Sequence, residues 1–257
     1  MLVFILALQS PDASNQWIRV SRLAERTLGS IFQQQNPQWR ALLVCNEPPE
    51  GLLGHPNLTV LRCRLGVPKT PTERMIDKWR KLRIGICNAR AFTPAHIMVM
   101  DADDLVSNQL AQLSYDNPEC NGWYMHRSYL HRENSQFVVF RNNFHMLCGT
   151  SAIVKVNARD LPSSPNDESP CTILDYGHGV IVEAMRERHM PLRPLHFPGA
   201  IYITGTGEND SGFSYNPWAS RRRSIGELVN HRFITERIRH EFNLVPVSNA
   251  DVPIRGE

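Results

Sequence analysis

Asp101, Asp103 and Asp104 stand within four residues of one another, directly after the apolar run His96-Ile97-Met98-Val99-Met100. Carboxylates held that close repel each other and call for a compensating positive charge. Hard oxygen donors of this kind suit Mg²⁺ or Mn²⁺. Asp101 and Asp103 are two apart, so an extended backbone would point both side chains the same way. A solvated acidic turn capping the next helix is the competing reading, because a D-x-D pattern alone has little specificity. The surroundings add weight to the first. An apolar run that ends abruptly in acid predicts a buried central strand with carboxylates at its C-terminal edge. In open α/β sheets, ligands lie in the crevice beyond those edges.

The elements that would position this edge follow from periodicity. Leu2 to Leu8 is continuously apolar and predicts a first strand buried on both faces. Gln9 to Asn15 is a polar loop. Asn15 is the expected cap of a helix whose stripe is Trp17, Val20, Ala24, Leu28 and Ile31, with Gly29 a point where it bends or ends. Trp39 to Cys45 and Leu58 to Cys63 predict two more strands. Strands alternating with helical segments imply a parallel sheet. Thr70-Pro71-Thr72-Glu73 is a helix start: Thr70 caps, proline fits the first turn, and Glu73 completes a capping box. That helix is expected to bury Met75, Trp79, Leu82 and Ile86, with Asp77 and Lys81 pairing on a solvated face.

Beyond the acidic edge, Ser107 is expected to cap a short helix through Leu113. Gly122 to His131 and Gln136 to Phe140 predict a hairpin turning at Arg132-Glu133-Asn134-Ser135. Alternation along its first strand would put Trp123 and Tyr129 on one face and Tyr124 on the other. Further strands are expected over 149–156 and 195–204, a loop over 161–170 and a helix over 179–189. A glycine-rich loop should span 205–216. A last amphipathic helix over 224–242 has the stripe Ile225, Leu228, Val229, Phe233, Ile238 and Phe242.

Composition bounds the class. At 257 residues, with 42% hydrophobic and 21% charged residues, the chain can bury a core without staples. A net charge of +3 suits an anionic substrate but is too small to argue for nucleic acid. None of the six cysteines forms a C-x-x-C pair, so a zinc or thioredoxin-type site is not expected. No secretory leader or membrane-length run is visible, which makes a cytoplasmic location the expectation.

Three segments, in order, resemble the inverting GT-A glycosyltransferases, most nearly the family 2-like group. They are Ser30-Ile31-Phe32-x-Gln34 with Trp39 to Glu47, then Lys78 to Ala91, then Val99-Met100-Asp101-Ala102-Asp103-Asp104. The resemblance covers roughly the first 115 residues well and the second half in outline. It implies an α/β, Rossmann-like, mixed and mainly parallel sheet flanked by helices, in a single domain. Residues 1–115 would be its nucleotide-sugar-binding half, and residues 116–257 its acceptor-binding half with the C-terminal helix.

The implied activity is transfer of a sugar from a nucleotide-diphospho-sugar donor to a glycan, lipid-linked or other hydroxyl acceptor. Asp103 would hold Mn²⁺ or Mg²⁺ with help from Asp101, which could also contact the ribose. Gln9, Ser10, Glu47, Lys78 and Arg83 would face the donor, and Trp123 and Tyr129 the acceptor. Asp175, or else His178, stands where the resemblance implies a base. Asp175 as a plain helix cap and His178 as a local hydrogen-bonding residue remain the competing readings.

The chain also departs from the pattern. Gln9-Ser10-Pro11 replaces the usual turn, Asn46-Glu47 stands where an aspartate reads the base, and the late loop lacks a histidine. Glu208, Asp210 or water is left as third ligand. Arg221-Arg222-Arg223, before an amphipathic helix, could touch phosphate or make a peripheral contact with an anionic membrane. A solvated helix start is the favoured reading, because one short basic cluster is a weak anchor. Two rival enzymes fit poorly. A haloacid-type phosphohydrolase wants its aspartates after strand one, and a nucleotidyltransferase wants a glycine-rich loop there, whereas Gln9 to Asn15 contains no glycine. A non-catalytic nucleotide-sugar or glycan-binding module is the remaining alternative.

Overall fold

A computed structural model describes residues 1–157, 161–167, 169–206 and 230–245. The first strand, β1 (Leu2–Ala7), is buried along nearly its whole length. It lies between two parallel neighbours, β2 (Trp39–Cys45) and β4 (His96–Asp101), and β3 (Leu58–Arg62) extends the sheet beyond β2. A strand covered on both faces needs apolar side chains at every position, which explains its unbroken apolar run. Each buried Leu, Ile or Phe contributes about 1.5–3 kcal/mol through burial.

Two helices cover the faces. The first, α1 (Trp17–Phe32), buries Val20, Ala24, Leu28 and Ile31 as the stripe predicts. Asn15 is not its cap, since the helix starts at Trp17 after Gln16. Gly29 does not end it; the glycine makes room for the Asn243 side chain, whose Nδ2 would lie 2.4 Å from an added Cβ. The second, α2 (Pro71–Ala89), begins with the predicted capping box between Thr70 and Glu73. Leu82 and Ile86 are buried, but Met75 is exposed.

The Asp77–Lys81 pair is a larger correction. It is not solvated: Lys81 is 0% and Asp77 9% exposed. The Lys81 ammonium donates to Asp77 Oδ2 at 2.6 Å and to the Leu8 carbonyl at 2.9 Å. The stripe Met75, Trp79, Leu82, Ile86 placed the inward face about a quarter turn away, because it counted only apolar side chains. A buried lysine bonded to a strand end leaves no trace in hydrophobic periodicity.

The second half of the chain is arranged in two sheets. β5 (Leu105–Val106) and α3 (Leu110–Asp116) follow the acidic edge, and Ser107 precedes α3 without capping it directly. The hairpin strand over 122–131 is two strands. β6 (Gly122–Tyr124) joins the main sheet beside β9 (Ala152–Lys155), whereas β7 (Arg127–Arg132) pairs with β8 (Phe137–Asn142) in a second sheet. The short helices α4 (Thr172–Asp175) and α5 (Ile181–Glu187) precede β10 (Arg193–Pro194) and β11 (Ala200–Thr204).

The predicted final helix over 224–242 is corrected where it is described. His231–Phe233 forms an edge strand, β12, against β8, and α6 (Glu236–Phe242) starts from a Thr235 cap. Phe233 is exposed on that edge, so its place in the helical stripe was fortuitous. Residues 207–229, including Glu208, Asp210 and the arginine triplet, lie outside the described residues.

The strand order is β10-β6-β9-β4-β1-β2-β3 in the main sheet and β12-β8-β7-β11-β5 in the second. β1 to β4 are mutually parallel, and β9 turns antiparallel beside β4. The result is the mixed, mainly parallel α/β sheet flanked by helices that is expected from the sequence. No described helix is long and apolar enough to cross a membrane.

Candidate functional site at the acidic strand edge

Register alone brings the edge together. Ala7 stands level with both Val44 and Asp101. Gln9 and Ser10 after β1, Asn46 and Glu47 after β2, and Asp101 to Asp104 after β4 therefore emerge at one end of the sheet. Gln9 donates to the Ala13 carbonyl at 2.8 Å, which folds its loop back on itself, and Ser10 is buried. Glu47 is exposed. Asn46 donates to the Leu65 carbonyl at 3.0 Å and leaves its own Oδ1 buried without a partner.

The carboxylates do not act alike. The Asp101 backbone N–H donates to the Thr150 hydroxyl oxygen at 2.9 Å. Gly149 leaves its carboxylate room, since an added Cβ would sit 3.0 Å from Oδ2. The Lys78 ammonium donates to Asp101 Oδ1. Asp104 turns the other way and is fully buried. Its Oδ2 accepts from Cys148 Sγ at 3.1 Å and its Oδ1 from the Ile203 N–H at 3.3 Å. Burial first, then Asp103 and Asp101, pushes the Asp104 carboxyl well above its usual range. Asp103 is pushed up to about 7 by burial and by Asp101, against the pull of Lys78. Asp104 thus fastens the second sheet to the edge, and Asp101 and Asp103 remain.

Among the described residues, no three His, Cys, Asp or Glu side chains gather as a metal site. The carboxylate of Asp101 already faces an ammonium, and Asp104 is spent on Cys148 and Ile203. These side chains, as arranged, do not fit a divalent ion, which asks for several converging oxygens.

The other candidates divide. His178 lies close enough to Asp101 and Lys78 to feel both, with opposite sign. It keeps an exposed surface, yet partial desolvation of its ring holds its pKa below the usual imidazole value. Asp175 is exposed and its Oδ2 accepts from the Cys171 N–H at 2.6 Å, so it caps the start of its own helix α4. Arg83 donates to the Asp167 carbonyl and Arg90 to the Leu161 carbonyl, so both tie down the 161–167 loop.

Trp123 is 5% exposed and packs on His96 at 5.0 Å between ring centres, which makes it core. Tyr129 lies edge-on to Phe140 and Phe242 in the second sheet. The shared face that alternation predicted for these two does not exist, because the chain changes sheets at Met125-His126. Reasoning from sequence set Tyr124 on the opposite face of the hairpin from Trp123 and Tyr129, and missed His126 and His145 beside it. The Tyr124 and His145 rings are 4.8 Å apart, those of His126 and His145 6.1 Å, and His145 feels His178 electrostatically. No spacing in the sequence announces this group, since β6, the link from β6 to β7, the loop before β9 and the loop before α5 supply its members separately.

No family model and no curated protein matches the chain. Solved structures do resemble it loosely. A structure of S. aureus TarS 1-349 aligns at 10% identity over 79% of this chain and 60% of that one, with a TM-score of 0.45. The Francisella tularensis 2-C-methyl-D-erythritol 4-phosphate cytidylyltransferase aligns at 10% identity over 79% and 89%, with a TM-score of 0.42. A putative nucleotide-diphospho-sugar transferase from Desulfovibrio desulfuricans aligns at 12% identity over 89% and 93%, with a TM-score of 0.38. The chain thus spans under two thirds of the TarS fragment it resembles.

Proposed function

We propose that this chain is a glycosyltransferase that moves a sugar from a nucleotide-diphospho-sugar donor to a hydroxyl acceptor. The observation that carries the reading is the Lys78–Asp101 pair at the C-terminal edge of the central parallel strands, the place where such sheets bind ligands, with His178 within electrostatic range of both. In the reaction, the bond between the anomeric carbon and the β-phosphate oxygen breaks and its electron pair leaves with the diphosphate. The acceptor oxygen bonds to that carbon from the opposite face, and its proton passes to a base. His178 supports that role better than Asp175. A neutral imidazole beside the edge can accept a proton, whereas Asp175 is engaged at the Cys171 amide. A direct displacement of this kind inverts the anomeric centre. Mn²⁺ or Mg²⁺, the cofactor implied by resemblance, would have to recruit ligands beyond those described, Glu208 and Asp210 among the candidates. Gln9, Ser10 and Glu47 stand at the same edge and would border the nucleoside.

A panel of UDP-, GDP-, CDP- and dTDP-sugars tests the reading by thermal shift and by release of nucleoside diphosphate. At least one donor should raise the melting temperature by mass action. His178→Gln should keep that shift and lose turnover by about 10²–10⁴-fold, the range of general-base contributions. No shift with any donor would end the proposal. A shift with no turnover on any acceptor would favour the binding-module alternative.

A further inference from the structure

We infer that Lys78 is the resident cation of this site: its ammonium, not a divalent metal ion, holds the anionic diphosphate of the ligand. The inference rests on the nucleotide-sugar reading above and goes beyond it by naming the group that takes the phosphate charge. Three observations carry it. First, the Lys78 ammonium already sits on Asp101, the carboxylate at the tip of the central strand. An ammonium has three N–H donors. Asp101 uses one, and among the described residues Lys78 has no second hydrogen bond or ion pair, although Asp103 and Asp104 also attract its charge. Second, the side chain is 43% exposed, so the charge is open to a ligand while Asp101 holds it in place.

Third, the backbone that presents Lys78 is rigidly seated. One turn on, Lys81 is buried and bonded to the Leu8 carbonyl, and Gly85 packs directly against Ile5 and Val44. Helix α2 therefore places one lysine at the end of β1 and another at the end of β4. Lysine is a standard phosphate binder as a point charge. Hydrogen bonds to charged groups carry about 1.5–3 kcal/mol, enough for a tenfold effect or more on affinity.

The deciding experiment is isothermal titration of the full chain with UDP, GDP, CDP and dTDP, each in EDTA and again in Mn²⁺. For whichever diphosphate binds, affinity in EDTA should lie within about threefold of that in Mn²⁺. Lys78→Met should lose at least about tenfold in EDTA, and Lys78→Arg should keep most of the affinity. Both variants should unfold at the native melting temperature, because position 78 is half exposed. Binding by the native chain that requires Mn²⁺ overturns the inference and leaves the nucleotide-sugar reading standing. Binding that survives Lys78→Met unchanged in EDTA also overturns it. No binding of any diphosphate under either condition overturns both.

Discussion

Replacing Asp77 by leucine tests the buried half of helix α2. The substitution leaves the Lys81 ammonium enclosed, with the Leu8 carbonyl as its remaining partner. Stripping one member from a buried ion pair costs about 3–5 kcal/mol, because the other charge stays desolvated. For a chain of this size that corresponds to roughly 6–20 °C in melting temperature. The double variant Asp77→Leu, Lys81→Met should recover part of the loss. It removes both charges and leaves only the Leu8 carbonyl without a donor, at about 1–3 kcal/mol. The second carboxylate oxygen of Asp77 already lacks a partner, which holds down what the intact pair contributes. Urea unfolding followed by tryptophan fluorescence reports both variants, since the chain carries five tryptophans. A loss below about 1 kcal/mol for the single variant refutes the reasoning. So does a double variant less stable than the single.

Gly85→Ala should destabilise, although alanine favours helix by about 1 kcal/mol. Its Cβ would meet Ile5 Cγ2 at 2.4 Å, and overpacking costs about 1–3 kcal/mol; a stabilised variant in urea titration would contradict this packing. His96 supplies a pH dependence. Burial lowers its pKa below the usual 6.5, while its ring bonds to Ser114 Oγ and the Cys120 carbonyl. The unfolded chain therefore takes up the proton first, so this contribution to stability is intact above pH 6.5 and falls as pH drops below it. The slope of unfolding free energy between pH 6.5 and 5 should be shallower in His96→Gln than in the native chain, and equal slopes would exclude His96 as a source.

Much of the architecture of the first half was legible because it is written in periodicity and caps. Leu2 to Leu8 must be a strand buried on both faces, and Thr70 with Glu73 can start only a helix. Their parallel register then fixes which loops share an edge. The individual fates of Asp101, Asp103 and Asp104 were not legible. Alternation grouped Asp101 with Asp103, but nothing local says that Asp104 turns inward, because its partners Cys148, in the loop before β9, and Ile203, in β11, come from far along the chain. Lys81 was misjudged for a related reason: a charged side chain can be buried when a distant carbonyl receives it, and Leu8 is 73 positions away. The hairpin reading failed at Met125-His126, where one extended stretch serves two sheets. Two apolar strand patterns joined without a glycine or proline look like one.

The inward turn of Asp104 changes how this edge would look to an approaching anion. Spelled as letters, the tip of the central strand carries three negative charges. As folded, one of them is withdrawn behind the strand and another is matched by an amine from the neighbouring helix. Of the three aspartates at this tip only Asp103 is left unmatched, and burial inclines even that one to keep its proton. On the reading proposed above, a dianion nearing this tip would face a largely offset charge rather than three bare carboxylates.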